Sequence, residues 1–198
     1  MFYSQCGEDV YLASKYFNNY KNGFFIELGA MNGVEYSNTK YFEDSLNWTG
    51  ILIEPTTQYE MLVKNRPNCK NYNYAISEVE GEVEFVGGGA LGGIISSMCT
   101  HHLTGWGLHT QTPFKVNSIP IKKLLTDVKR VDLFSIDVEG GEISVLKTYD
   151  WNIPTYIILL EDNYNNKECS EILLGKGFEL DGSVGGNQIW INKKALPV

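Results

Sequence analysis

Five short runs, FFIEL (24–28), GILIE (50–54), NYNYAI (71–76), VDLFSID (131–137) and TYIILLE (155–161), set the rhythm of the chain. Each has strand length and reads as buried on both faces, the pattern of a parallel sheet. Between them lie stretches whose spacing predicts helices: SNTKYFEDSL (37–46), TTQYEMLVKNR (56–66), IPIKKLLTDV (119–128), GGEISVLKTYD (140–150) and KECSEILLGKG (167–177). Strand alternating with helix predicts an open α/β sheet covered by helices on both faces. Two closing strands are expected around GFEL (177–180) and NQIWINKK (187–194), at one edge. One segment breaks the rhythm. Residues 87–115 are glycine-rich, hold all 3 histidines and follow a period of neither 2 nor 3.6. A long irregular insertion of this kind is a candidate lid over a site.

Composition narrows the picture. A chain of 198 residues, 43% hydrophobic and 20% charged, fits a single domain, 1–198, able to bury a core. It is equally consistent with one domain of a larger polypeptide. A formal net charge of -8 and a pI near 4.9 offer no basic stripe, so nucleic acid is not an expected partner. The 4 cysteines form no CxxC pair, which suits free thiols in a reducing compartment. With no signal-like N-terminus and no apolar run of membrane-spanning length, the expected location is cytoplasmic, without a membrane span.

Candidate chemistry begins with an acid where an apolar strand has no need of one. In FFIELGAMNG, Glu27 sits inside the run and is followed by Gly29, Ala30 and Gly33. Ligands of open α/β sheets bind beyond the carboxyl ends of the strands, and glycines there allow close backbone approach. The turn lacks the GxGxxG spacing that packs against a pyrophosphate. A carboxylate would repel that group but suits a ligand carrying an ammonium or sulfonium. Glu54 ends the second strand, where an acid accepts hydrogen bonds from ribose hydroxyls. The two acids together point to S-adenosylmethionine.

At these residues the chain resembles a known family. SQCGED (4–9), FFIELGAMNGVEYSNT (24–39), WTGILIEP (48–55), AIS (75–77) and VDLFSIDVEGGEISVLK (131–147) are similar to the FkbM-type methyltransferases. Two positions depart from the family pattern: Cys6 stands where an aromatic residue is common, and Met31-Asn32 replaces the usual pair. The resemblance implies a class I methyltransferase with a Rossmann-like, mostly parallel seven-stranded sheet. It implies S-adenosylmethionine as cofactor and hydroxyl groups, often of sugars or secondary metabolites, as acceptors. Carried onto this sequence, Glu27, Gly29, Ala30 and Gly33 would line the methionine part, Glu54 with Pro55 the ribose, and Ala75 with Ile76 the adenine edge. Gln5, Ser37 and Asn38 would reach the cofactor, and Asp137 would meet the reacting centre.

An alcohol acceptor must lose its proton as the new bond forms. The candidate bases are Asp137, Glu139 and a histidine of the insertion, His102 foremost among His101, His102 and His109. A second route uses Mg²⁺ on Asp137, Asp162 and Asn163, an arrangement similar to that of catechol-type O-methyltransferases. Cys99 and the histidines match no zinc spacing. The expected activity is O-methylation of a small-molecule or carbohydrate hydroxyl, with a sugar or glycan favoured. An N-methyltransferase of a small amine or peptide, an NAD-dependent oxidoreductase and a non-catalytic binding module are the alternatives.

Overall fold

The computed structural model describes residues 1–162 and 167–196. In chain order the elements are α1 (Glu8–Lys15), β1 (Phe24–Leu28), α2 (Lys40–Leu46), β2 (Thr49–Ile53), α3 (Tyr59–Asn65), β3 (Lys70–Tyr72), β4 (Ala75–Ile76), β5 (Gly81–Val86) and β6 (Gly93–Ile94). They continue with α4 (Thr100–Gly105), β7 (Phe114–Ile119), β8 (Val131–Ile136), α5 (Glu142–Thr148), β9 (Thr155–Glu161), α6 (Lys167–Gly175), β10 (Glu179–Val184) and β11 (Asn187–Ile191).

The main sheet has 7 strands in the order β10-β11-β9-β8-β1-β2-β3. It is mixed: β1 pairs in parallel with β2 and β8, as do β2 with β3 and β8 with β9, whereas β11 runs antiparallel to both β9 and β10. The chain winds outward from β1 through β2 to β3, then returns to the other side of β1 as β8. Strand order therefore reverses between β1 and β8, and the carboxyl ends of these two strands open a crevice.

Period-two alternation sorts each central strand between two cores. Ile26 and Leu28 of β1 pack with Phe134, Ile136, Val145 and Leu173 on the face covered by α5 and α6. Phe25 points the other way, to Leu12, Phe42 and Leu62 on the face covered by α1, α2 and α3. Burying each of these side chains stabilises the fold by roughly 1.5–3 kcal/mol. Among the described residues no helix is long and apolar enough to cross a membrane.

Three sequence expectations change. The run NYNYAI does not form one strand: β3 closes the edge of the main sheet, and β4 joins a second sheet of 4 strands, β4-β7-β5-β6. The segment 119–128 is not an α-helix: Ile119 ends β7, and Ile121–Leu124 form a single tight turn. The insertion is partly ordered, contributing β6, α4 and the start of β7. The second sheet has its own core of Ala75, Phe85, Ile94 and Val116, and Ala75, Phe85 and Ile94 also border the crevice.

Candidate active site

A cleft of two joined halves lies over the carboxyl ends of β1, β2 and β8. The first half encloses about 640 Å³, part of it open to solvent, between Leu28, Ile53, Tyr74, Ala75, Ile76, Phe85 and Ile94, with Glu54 and Pro55 on its rim. The second is polar, bordered by Gln5, Glu8, Glu27, Ala30, Ser37, Asn38, Ser135, Glu161 and Asn187. Gly29, Met31, Ala90 and Asp137 border both halves and mark the seam. Ala90 comes from the insertion, as do Gly89, Gly92 and Ile94 on the apolar side, so the irregular segment does cover the site.

Glu27 shares the strand face of Phe25, so its carboxylate turns toward α2 and α3. It is 3% exposed. Oε2 accepts hydrogen bonds from Ser37 Oγ (2.9 Å) and Thr39 Oγ1 (2.6 Å), and Oε1 accepts one from the Asn38 N–H (2.7 Å). Arg66, fully buried, places Nη1 3.8 Å from Oε2, while its Nε pairs with Glu43. A carboxylate has about four acceptor directions. Among the described residues three of them are filled and one on Oε1 stays open. The acid in the apolar strand thus first ties residues 37–39 to β1.

Gly33 departs from its expected place. A Cβ there would lie 2.6 Å from Leu62 and 2.7 Å from Arg66, and its carbonyl accepts a hydrogen bond from Arg66 Nη1 (2.9 Å). Its glycine character serves packing against α3, and it does not border the cleft. Gly29 does. A Cβ there would come 2.2 Å from the Asp137 carbonyl oxygen, and its φ is +71°. Gly29→Ala is expected to push β1 from β8, costing about 2–4 kcal/mol of stability and at least tenfold in ligand affinity. Urea denaturation and ligand titration of this variant measure the two effects separately.

Glu54 is held by its own turn. Oε2 accepts the Met31 N–H (2.9 Å), and Oε1 accepts the Thr56 N–H (2.9 Å) and hydroxyl (2.5 Å). These bonds fix the carboxylate at the mouth of the apolar half.

At the seam the acids crowd. One carboxylate oxygen from each of Asp137, Glu139 and Glu161 lies within 4.8 Å of the others. Loss of hydration, then the charge and hydrogen bond of Glu161 and the charge of Glu139, raise Asp137 well above the ordinary carboxylate range. Burial, then Glu161 and Glu142, push Glu139 up to about 8. Glu139 Oε2 is buried without a hydrogen bond among the described residues and lies 3.4 Å from His102 Nδ1. His102 is buried, with Nε2 3.3 Å from the Leu91 carbonyl oxygen. His101 and His109 are exposed.

Asp162 follows β9 but is not among the acids that converge on Asp137, and Asn163 lies outside the described residues. Sequence reasoning missed Glu161 and Arg66. Glu161 carried a readable signal, an acid ending an apolar strand as Glu54 ends GILIE. Arg66 carried none, since a basic residue closing a helix reads as solvated.

A family model described as the methyltransferase FkbM domain matches residues 27–179, more than three quarters of the chain. No curated protein matches it significantly. The matched span runs from the Glu27 of β1 to the start of β10 and includes the seam acids and the insertion that covers them. On that match the chain belongs to the FkbM methyltransferase family.

Proposed function

We propose that the protein transfers a methyl group from S-adenosylmethionine to a hydroxyl oxygen, with a sugar or other hydroxylated ring as acceptor. The observation that carries this reading is a two-part cleft with a buried carboxylate, Glu139, on the apolar side and within 4.8 Å of Asp137 at the seam, its pKa pushed up to about 8 by burial. The residues suit the donor. Gly29 leaves the room a Cβ would take, Glu139 leaves a buried oxygen without a hydrogen bond, and the polar half is rich in acid. Bound there, the donor supplies an electrophilic methyl carbon on a positively charged sulfur.

The chain's own residues then have distinct tasks. Ala75 and Ile76 receive the flat adenine edge, and Glu54 accepts from the ribose. The free direction of Glu27 and the carboxylate of Asp137 face the donor's cationic groups. Alignment of the acceptor oxygen supplies much of the rate, because the displacement is in line. Glu139 takes the acceptor's proton as the bond forms, and its raised pKa makes it a stronger base than an ordinary carboxylate. His102 Nδ1 lies 3.4 Å from that carboxylate. An amine acceptor in its neutral form has no comparable need for this base.

The test has two parts. S-adenosylmethionine at a hundred times its Kd is expected to raise Tm by on the order of 5–10 °C, with NAD giving no shift. Incubation with a panel of hydroxylated acceptors, with and without EDTA, is then expected to release S-adenosylhomocysteine. A Tm unmoved by the donor at millimolar concentration sinks the reading.

A further inference from the structure

Six non-glycine residues among those described have left-handed backbone: Asn19, Asn22, Met31, Tyr36, Asn47 and Glu139. Asparagine visits this region at little cost, and none of the three asparagines borders the cleft. Met31, Tyr36 and Glu139 all border it, and each pays roughly 1 kcal/mol or more for its conformation. Costly backbone therefore gathers at the site.

Met31 and Glu139 already have tasks there. The Met31 N–H holds Glu54, and Glu139 borders the apolar half beside Asp137. Tyr36 has none. Its backbone, with φ 58° and bridged to Ser4, turns the chain so that Ser37, Asn38 and Thr39 converge on Glu27. That turn requires a left-handed residue, which glycine or asparagine would supply more cheaply. It does not require a tyrosine. Packing does not explain the ring either, because Tyr36 is 44% exposed. The hydroxyl of Tyr36, like those of Tyr20, Tyr41, Tyr72, Tyr74 and Tyr156, has no hydrogen-bond partner among the described residues, so no internal bond holds the ring in place. Tyr36 borders the polar half with Gln5, Glu35 and Asn187 and does not border the apolar half.

We propose that Tyr36 is a specificity-determining residue whose ring stacks on a ring-shaped acceptor, and that this acceptor carries no anionic group. The second clause follows from the lining. Among the described residues Glu8, Glu27, Glu35 and Glu161 border the polar half together with Asp137, whose burial favours its neutral form, and no lysine, arginine or histidine does. A phosphate about 7 Å from one ionised carboxylate loses about 2 kcal/mol at an effective dielectric of 20. Ring stacking returns only about 0.5–1.5 kcal/mol. Phosphorylated and nucleotide-linked rings are thereby disfavoured, and neutral or amine-bearing rings admitted. This inference rests on the methyltransferase reading.

The test compares wild type, Tyr36→Gly and Tyr36→Phe. S-adenosylhomocysteine affinity comes from calorimetry, and Tm from thermal scans. Binding of neutral, amino-substituted and 6-phosphorylated methyl and phenyl glycosides to the protein saturated with S-adenosylhomocysteine comes from ligand-observed NMR. Tyr36→Gly is expected to hold or raise Tm by about 2–4 °C, leave S-adenosylhomocysteine affinity within twofold, and weaken glycoside binding at least fivefold. Tyr36→Phe should bind as wild type does, and the phosphorylated probes should bind weakest. A fall in Tm of Tyr36→Gly, unchanged glycoside binding, a preference for phosphorylated probes, or no glycoside binding at all overturns the inference. Failure of S-adenosylhomocysteine to bind wild type instead overturns the donor reading, and the Tm comparison still decides whether the ring is there for packing.

Discussion

Glu139→Gln is expected to lower turnover by about 10²- to 10⁴-fold while making the protein more stable at alkaline pH. The activity side follows from the base. In wild type, kcat/KM should rise with pH through about 8, as Glu139 ionises in the free enzyme. With the cationic donor bound, the carboxylate is favoured, so the corresponding limb in kcat should lie lower. The variant should lose this limb altogether. The stability side has a definite sign. Glu139 holds its proton in the folded protein to a higher pH than in the unfolded chain, so between the ordinary glutamate range and about 8 the folded state binds more protons. Stability then falls as pH rises across that window, by up to about 1.4 kcal/mol per unit from this one group. Glutamine, always neutral, escapes the loss. Turnover profiles and urea midpoints of both proteins from pH 5 to 9 check the two halves independently. A wild-type kcat/KM that is flat across that range removes Glu139 from the role of base.

The sequence carried the central sheet well and the roof poorly, for a physical reason. Strands such as FFIEL and TYIILLE are buried on both faces, so their apolar runs are continuous and stand out. β5 and β7 bury one face only, and their alternation, as in EVEFV and FKVNSI, is short and adjoins glycine-rich chain. In the cleft, Glu54 and Pro55 border the apolar half at the end of β2, where topology puts a strand end, whereas Ala75 and Ile76 were implied only by the family resemblance and lie in β4 of the second sheet. Gly33 could not be placed, since a glycine that admits an arginine stem and one that admits a ligand look alike in sequence. Nor could the partners of Glu27: an acid facing an apolar strand announces a need for compensation but not its source. That source proved to be Arg66, brought across by α3, together with three donors from residues 37–39.

The two strand-end acids should therefore fail differently when altered, and a truncated ligand separates them. If Glu54 accepts from the ribose as proposed, Glu54→Ala removes a charge-assisted pair worth about 1.5–3 kcal/mol, and affinity should fall about 10- to 100-fold. The loss should be equal for S-adenosylhomocysteine and for 5′-methylthioadenosine, which keeps the ribose and lacks the amino-acid part. Glu27→Gln keeps the shape but changes an acceptor into a donor. Of the groups around that carboxylate, the Thr39 hydroxyl, which accepts only from Arg66, can reverse to accept a hydrogen bond, whereas Ser37 Oγ already accepts from the Thr39 and Lys40 N–H groups and Arg66 Nη1, and the Asn38 N–H cannot accept at all. Arg66 keeps Glu43 as a partner, which limits the stability cost to about 1–3 kcal/mol. If the open direction of Glu27 faces the ammonium, this variant should weaken S-adenosylhomocysteine about tenfold and leave 5′-methylthioadenosine almost unchanged. Calorimetry with both ligands on both variants gives four affinities. Equal losses of both ligands in Glu27→Gln would make that acid a brace for residues 37–39 and nothing more, leaving the ammonium to Asp137.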